Sequence, residues 1–175
     1  MELVVLVDEQ NKPIGTAPKD EVHTTNTPLH RAFSLFVFNS TKQLLLTKRA
    51  EDKKTFPGVW TNTVCGHLAP DESTVDAAKR RLKRELGIEG IEVKEAAPYR
   101  YRFADTNGIV ENEICPILIG RFDGDPIPDP SEVDNWQWMD WQEFLQEIQT
   151  NPNPYSPWSI EEANILNSLE SIQVS

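Results

Sequence analysis

A chain of 175 residues, 38% of them hydrophobic, is long and apolar enough to bury the core of one domain over residues 1–175, which excludes a disordered acidic tail. With 28 acidic side chains against 17 basic ones, the formal charge of -11 excludes general binding to nucleic acid or to an anionic membrane, and an anionic small substrate needs a local basic pocket. There is no run of roughly 18 apolar residues to span a membrane, and the opening MELVVLVDEQNKP lacks the basic start of a secretion signal, so a cytoplasmic protein with Cys65 and Cys115 as free thiols is expected.

Leu3–Val7 is an apolar run of strand type, and Asn11-Lys12-Pro13 marks a turn. Residues 18–31 are polar, with two prolines, and read as a loop carrying His23 and His30. Ala32–Phe38 and Gln43–Lys48 flank Asn39-Ser40-Thr41-Lys42 in a hairpin pattern, and a basic stretch from Lys48 to Lys54 leads into the turn FPGVW. The clearest helix covers 73–86. Ser73 caps it, Asp76 completes a capping-box pattern, Val75, Ala78, Leu82 and Leu86 form its apolar stripe, and Gly87 stops it. Ile91–Val93 and Tyr99–Phe103 read as extended, Asp105-Thr106-Asn107-Gly108 as a turn, and Ile109–Phe122 as one long β run in which Pro116 signals an edge or a bulge. Gly124–Glu132 is a loop rich in Pro and Asp, and Asn135–Trp141 is a strand. Helices are expected over Trp141–Gln149 and Ser159–Leu169, with a loop at Asn151–Pro157 between them. Strands and helices interleave without a strict βαβ rhythm, so an α/β chain of the α+β kind is expected, a mixed sheet covered by helices.

Residues 56–67, FPGVWTNTVCGH, set Cys65 two residues before His67. The thiol is open to four readings: metal ligand, nucleophile, proton donor, or small buried hydrophobe. Glu111 and Glu113 alternate along a strand-like segment and share one face. If that face is buried, the two carboxylates need positive compensation, and a divalent cation supplies it. With His23, His30 and His67 they form a donor set suited to a borderline or hard metal; a solvent-facing strand is the alternative. Lys79-Arg80-Arg81-Leu82-Lys83-Arg84 has the pattern of a solvated helix face, with Glu85 one turn after Arg81.

From Gly66 to Ile88 the chain resembles the Nudix box: Gly66, Glu72, Arg80, Leu82, Glu85, Gly87 and Ile88 match it. Arg81 and Arg84 stand where Nudix hydrolases carry glutamates. Two carboxylates fewer means less Mg²⁺ held for hydrolysis, and arginines supply diphosphate anchors instead, so the resemblance implies a site that holds diphosphate and cuts it poorly. With HTTNTPLHRAF, FPGVWTNTVCGH, GIVENEICP and YSPW in order between His23 and Trp158, the chain resembles the type I isopentenyl diphosphate isomerases.

That resemblance implies a Nudix-like mixed sheet sandwiched between helices and the interconversion of isopentenyl and dimethylallyl diphosphates in isoprenoid precursor biosynthesis. It implies one divalent ion, Mn²⁺, Zn²⁺ or Mg²⁺, on His23, His30, His67, Glu111 and Glu113. A Mg²⁺ arriving with the diphosphate is expected on Glu85 and the backbone carbonyl of Cys65. Cys65 and Glu113 are implied as the acid/base pair, with Tyr101 positioning the proton of Glu113. Trp158 would offer a π face to a cationic intermediate, worth about 0.5–2 kcal/mol. Arg49, Lys53, Arg81 and Lys19 are implied as diphosphate anchors, whereas Lys54, Arg80 and Lys83 are expected as surface charge and Cys115 as a small buried residue. Water would trap a carbocation, so the pocket has to close; Asn151–Trp158 and His23–His30 are the loops expected to close it. A small-molecule diphosphate is the expected partner of a monomer or homodimer. A Nudix diphosphate hydrolase and an inactive metal-bearing binding module are the competing readings.

Overall fold

The computed structural model describes residues 1–169. In chain order its strands are β1 (Leu3–Val7), β2 (Pro13–Pro18), β3 (His30–Phe38), β4 (Gln43–Arg49), β5 (Trp60–Thr61), β6 (Val64–His67), β7 (Val93–Ala97), β8 (Arg100–Ala104), β9 (Val110–Ile114), β10 (Ile117–Arg121) and β11 (Val133–Asp140). The helices are α1 (Lys19–Val22), α2 (Thr74–Leu86), α3 (Trp141–Thr150) and α4 (Pro157–Ser168).

The apolar run of β3 explains the layering. Successive side chains of a strand point to opposite faces, so a strand apolar at nearly every position must be covered on both. Phe33, Leu35 and Val37 pack with Leu45 against Ala77, Ala78, Leu82 and Leu86 of α2. On the other face, Phe36 and Phe38 pack with Leu44 and Leu46 against Trp141, Phe144 and Leu145 of α3 and Ala163 and Leu166 of α4. The expected mixed sheet between helices is present. The helix read over 73–86 is α2: Ser73 Oγ accepts from the Asp76 amide at 3.1 Å, and Gly87 follows in the left-handed conformation at φ 64°. Asp76 answers through its carboxylate to the Ser73 hydroxyl at 2.8 Å.

β3 changes partners along its length, and these changes position the site. On one edge β9 lies parallel to its start, with His30 opposite Glu113, and β10 lies parallel to Ser34–Phe38. Residues 109–122 thus keep one register along β3, split into β9 and β10. Pro116, without an N–H for the ladder, marks the break between them. On the other edge β3 meets β1 at His30, β6 over Ala32–Leu35, and β4 at Phe38.

The hairpin partners β3 and β4 pair only at Phe38 and Leu44, and the polar side chains before β6 fill the gap that opens between them. Thr63 Oγ1 accepts from the Val37 amide at 2.8 Å and donates to the Leu45 carbonyl at 2.7 Å, while Asn62 Nδ2 donates to the Leu35 carbonyl at 3.0 Å. β2, mostly exposed, and the four-residue α1 carry no periodic apolar pattern, so they lie in segments that read as turn and loop. Truncating Leu82→Ala on the sheet-facing stripe of α2 is expected to lower the unfolding free energy by about 2–5 kcal/mol, measured by urea denaturation.

Candidate active site and metal centre

His23 follows α1, His30 opens β3, His67 ends β6, and Glu111 and Glu113 project from β9. The donor atoms of these five residues all lie within 4.8 Å of one another. His23 Nε2 stands 3.1 Å from Glu111 Oε2, and Glu113 Oε1 is 3.1 Å from His67 Nε2 and 3.4 Å from His30 Nε2. The strand spacing does put both carboxylates on one face, and that face is buried. Among the described residues, buried His23 Nε2 and Glu111 Oε2 have no hydrogen-bond partner, although such atoms are rarely left unpaired. His30 Nδ1 lies 2.9 Å from the Pro28 carbonyl, which turns Nε2 toward the cluster. Burial and the neighbouring His30 and His23 hold His67 well below the usual imidazole range, so it is neutral, as a ligand must be. The donor set fits a divalent ion.

A cavity of about 480 Å³ opens beside this cluster. Lys19, Arg49, Lys53, Lys54 and Arg81 all line it, which is the local basic pocket that a chain of net charge -11 needs for an anionic ligand. Cys65, Glu113, Tyr101 and Trp158 line the same space. Tyr101 lies directly opposite Glu113 on β8, and its hydroxyl donates to Glu113 Oε2 at 2.8 Å. Trp158 is stacked on Tyr101, meets Phe56 edge-on, and carries the Arg49 guanidinium 5.8 Å over its ring.

The thiol of Cys65 donates to Asn62 Oδ1 at 3.1 Å and lies 3.6 Å from Ser34 Oγ. Burial pushes it up to about 12, so it carries its proton at neutral pH. Burial works to raise Glu113 as well, but the hydrogen bond and charge of His30, with the Glu111 and Tyr101 contacts, outweigh it and hold the carboxyl at about 2. Burial and the Glu113 charge push Tyr101 well above the usual phenol range. A protonated thiol and an ionised carboxylate thus face one cavity, the arrangement expected of an acid and a base assigned by their surroundings.

A family model described as the NUDIX domain matches residues 28–159. An isopentenyl-diphosphate Delta-isomerase from Paenarthrobacter aurescens is 46% identical over 158 residues, covering 90% of this chain and 86% of that protein. Another, from Frankia alni, is 45% identical over 160 residues, covering 91% and 82%. The chain belongs to the isopentenyl-diphosphate Delta-isomerase family. Among solved structures, the Deinococcus radiodurans protein DR0079 superposes with a TM-score of 0.74 at 20% identity, covering 94% of this chain and 98% of that one, which shows the shared fold.

Within this isomerase-family chain the Nudix-box positions separate by role. Gly66 leaves no room for a side chain, since a Cβ would stand 3.1 Å from both the Phe33 ring and Arg81 Cγ. Glu72 accepts from the Ala69 amide and from Arg80, and Arg80 also donates to the His67 carbonyl at 3.2 Å. Arg80 is exposed, as expected, and also staples the loop that carries His67. Lys54 is exposed as well, at the rim of the cavity, and donates to the Asp20 carbonyl at 2.8 Å. Lys83 is a solvated charge paired with Glu89, as expected. Arg84 is exposed outside the cavity lining, so of the two arginines replacing box glutamates only Arg81 reaches the pocket. Glu85 is buried behind Arg81 and does not line the cavity.

Other residues of the site carried no signal of their own. Thr55 donates to Glu111 Oε1 and receives Arg49 Nη2 on its carbonyl at 2.9 Å, joining a cation of the pocket to the metal cluster. Ser34 touches both Cys65 and the buried Cys115, at 3.6 and 3.3 Å. Glu162, fully buried on α4, is pushed well above the usual carboxylate range by that burial. Glu132 pairs with Lys53 and Arg81. A metal-competition titration is expected to find one divalent ion per chain. Thr55→Val should weaken it about tenfold, and His67→Ala by more than the roughly 10–100-fold that loss of an outer contact costs. Unchanged affinity in His67→Ala would remove the cluster as a metal centre.

Proposed function

We propose that this protein interconverts isopentenyl and dimethylallyl diphosphates, with residues 1–175 acting as one cytoplasmic domain in monomeric or homodimeric form. The observation that carries the reading is the single cavity shared by a protonated thiol, an ionised carboxylate and five cationic side chains, in a chain whose relatives are named isopentenyl-diphosphate Delta-isomerases.

Moving the double bond adds a proton to the terminal methylene carbon and removes one from the carbon on the far side, so atoms and charge balance overall. Cys65 and Glu113 supply one acid and one base. In one direction the thiol donates and the carboxylate accepts, and in the reverse direction the roles exchange. Tyr101 keeps its own proton and directs it at Glu113 Oε2, which fixes the carboxylate against the substrate. Between the two transfers positive charge develops on the hydrocarbon, and the ring of Trp158 faces it from the cavity wall, a contact worth about 0.5–2 kcal/mol. Phe56, Trp158 and Tyr101 line an apolar cluster that keeps water from the cation.

Lys19, Arg49, Lys53 and Arg81 bind the diphosphate. His23, His30, His67, Glu111 and Glu113 would hold a resident divalent ion, Mn²⁺, Zn²⁺ or Mg²⁺, through their mixed imidazole and carboxylate donors. A Mg²⁺ accompanying the substrate would be held by Glu85 and the Cys65 carbonyl and would neutralise charge on the diphosphate. Glu85 stands behind Arg81 and off the cavity lining, so it would reach such an ion only through Oε2, its Oε1 being taken up by Arg81.

Supplied with isopentenyl diphosphate and Mg²⁺, the protein should form dimethylallyl diphosphate, followed by NMR, without releasing phosphate. Phosphate without isomer would establish a hydrolase instead. Cys65→Ala is expected to lose at least about 10²–10⁴-fold in activity with its metal content intact, whereas Glu113→Gln should lose both. A Cys65→Ala protein stripped of metal would make the thiol a ligand and overturn its assignment.

A further inference from the structure

Glu132 closes the loop that precedes β11, and it carries two of the cations assigned to the diphosphate on separate oxygens. Its Oε2 pairs with Lys53 Nζ, and its Oε1 lies 3.2 Å from Arg81 Nη2. The side chains of Glu132 and Arg81 are 11% and 3% exposed, so this is not a water-screened surface pair. The backbone fixes where Glu132 stands. Its carbonyl accepts from the Ala50 amide at 3.1 Å and its amide donates to Asp129, whose own amide donates to the Glu85 carbonyl at 2.8 Å. The loop is thereby tied both to the segment that carries Lys53 and to the end of α2 that carries Arg81.

Arg81 shows what this arrangement leaves free. Its Nε and Nη2 donate to Glu85 Oε1 at 3.0 and 2.5 Å, and Nη2 also meets Glu132. Nη1 is buried and has no partner, while the residue lines the cavity. A guanidinium gripped along one edge by two carboxylates, with its remaining nitrogen unpaired beside a cavity, is a donor set up for an anionic ligand. Glu132 itself does not line the cavity and acts only through its partners.

We propose that Glu132 is a positioning residue that orients Lys53 and Arg81 together toward the diphosphate, an inference that rests on the isomerase reading for the identity of that anion. Two effects of opposite sign make it decidable. A carboxylate near an anion site repels the anion, so its removal would tighten binding if charge were all that mattered. Holding two long, flexible side chains in place before the ligand arrives favours binding, so its removal would weaken binding if ordering dominates. With both cations held on one carboxylate that is largely shielded from solvent, ordering is the larger effect.

The test is calorimetric titration of inorganic pyrophosphate with Mg²⁺ into the wild type, Glu132→Gln and Glu132→Asp, together with steady-state kinetics on isopentenyl diphosphate. Glu132→Gln removes the charge. Glu132→Asp keeps it but is one methylene too short to span both cations. Pyrophosphate affinity is expected to fall about tenfold in both variants, a difference of about 1.4 kcal/mol, and KM should rise by more than kcat falls. Affinity that is unchanged or tighter in Glu132→Gln, or wild-type affinity in Glu132→Asp, overturns the proposal. So does a lowered Tm with no change in KM. If Glu132→Gln fails to fold, Glu132→Asp decides alone. A wild type that binds pyrophosphate without isomerising sinks the isomerase reading and leaves Glu132 to be judged on the affinities, whereas a wild type that does not bind pyrophosphate overturns both.

Discussion

Glu111 and Glu113 are buried side by side on β9, and the groups within reach of them are imidazoles and hydroxyls, not lysine or arginine. Taking carboxylates out of water is costly unless positive charge or several donors meet them. Much of the architecture serves that need. β9 and β10 keep one register along β3 on either side of Pro116, and this register sets His30 opposite Glu113. β6 brings His67 alongside Ala32, two residues further along β3, and α1 delivers His23 from the other side. The two strands pair with β3 at the same offset, so the line of β9 and β10 fixes Glu113 beside His30 from one edge. The His/Glu cluster therefore sits where the other edge of β3 passes from β1 to β6, facing β9.

The same partner changes place the thiol. Because β3 and β4 separate after a single pair, the segment before β6 enters the gap and replaces ladder hydrogen bonds with side-chain ones from Thr63 and Asn62. Asn62 spends both amide hydrogens on backbone carbonyls, which leaves its oxygen to receive the Cys65 thiol. The proton on Cys65 is held by a residue whose own orientation is set by the fold. The hydrogen bonds with Ser34 and Asn62 work to lower the thiol toward its anion, and burial outweighs them.

Most of the groups that meet at the cavity were legible because they lie in short contiguous motifs: the carboxylates of ENE alternate with period 2, CGH joins thiol to imidazole, and the α2 stripe has helical period. The frame of the fold was legible for the same reason, as in β3 and α2. What escaped is non-local. Ile109–Phe122 reads as one run and keeps one register along β3, and only the sheet shows that its two halves take different outer partners, β8 and β7. Thr55 and Glu132 lie in loops without periodicity, and their roles come from Glu111, Lys53 and Arg81, which are 56, 79 and 51 positions away in the chain. Arg80 read as one more charge on a basic helix face, because its contact with the His67 carbonyl depends on how the preceding loop folds back.

The electrostatics of the pocket join these threads. Lys19, Arg49, Lys53, Lys54 and Arg81 line it, but so do the carboxylates of Glu2, Asp20, Glu111 and Glu113, and Lys19 is already paired with Glu2 at 2.8 Å. Five cationic groups against four acidic ones make a weak attractor for an anion inside a protein of net charge -11. A divalent ion on the His/Glu cluster would change that balance by two charges and would offset the negative field of Glu111 and Glu113. On this reading the cluster serves both ends of the substrate. It holds Glu113 ionised against the hydrocarbon, and it makes the cavity positive enough for the diphosphate to enter.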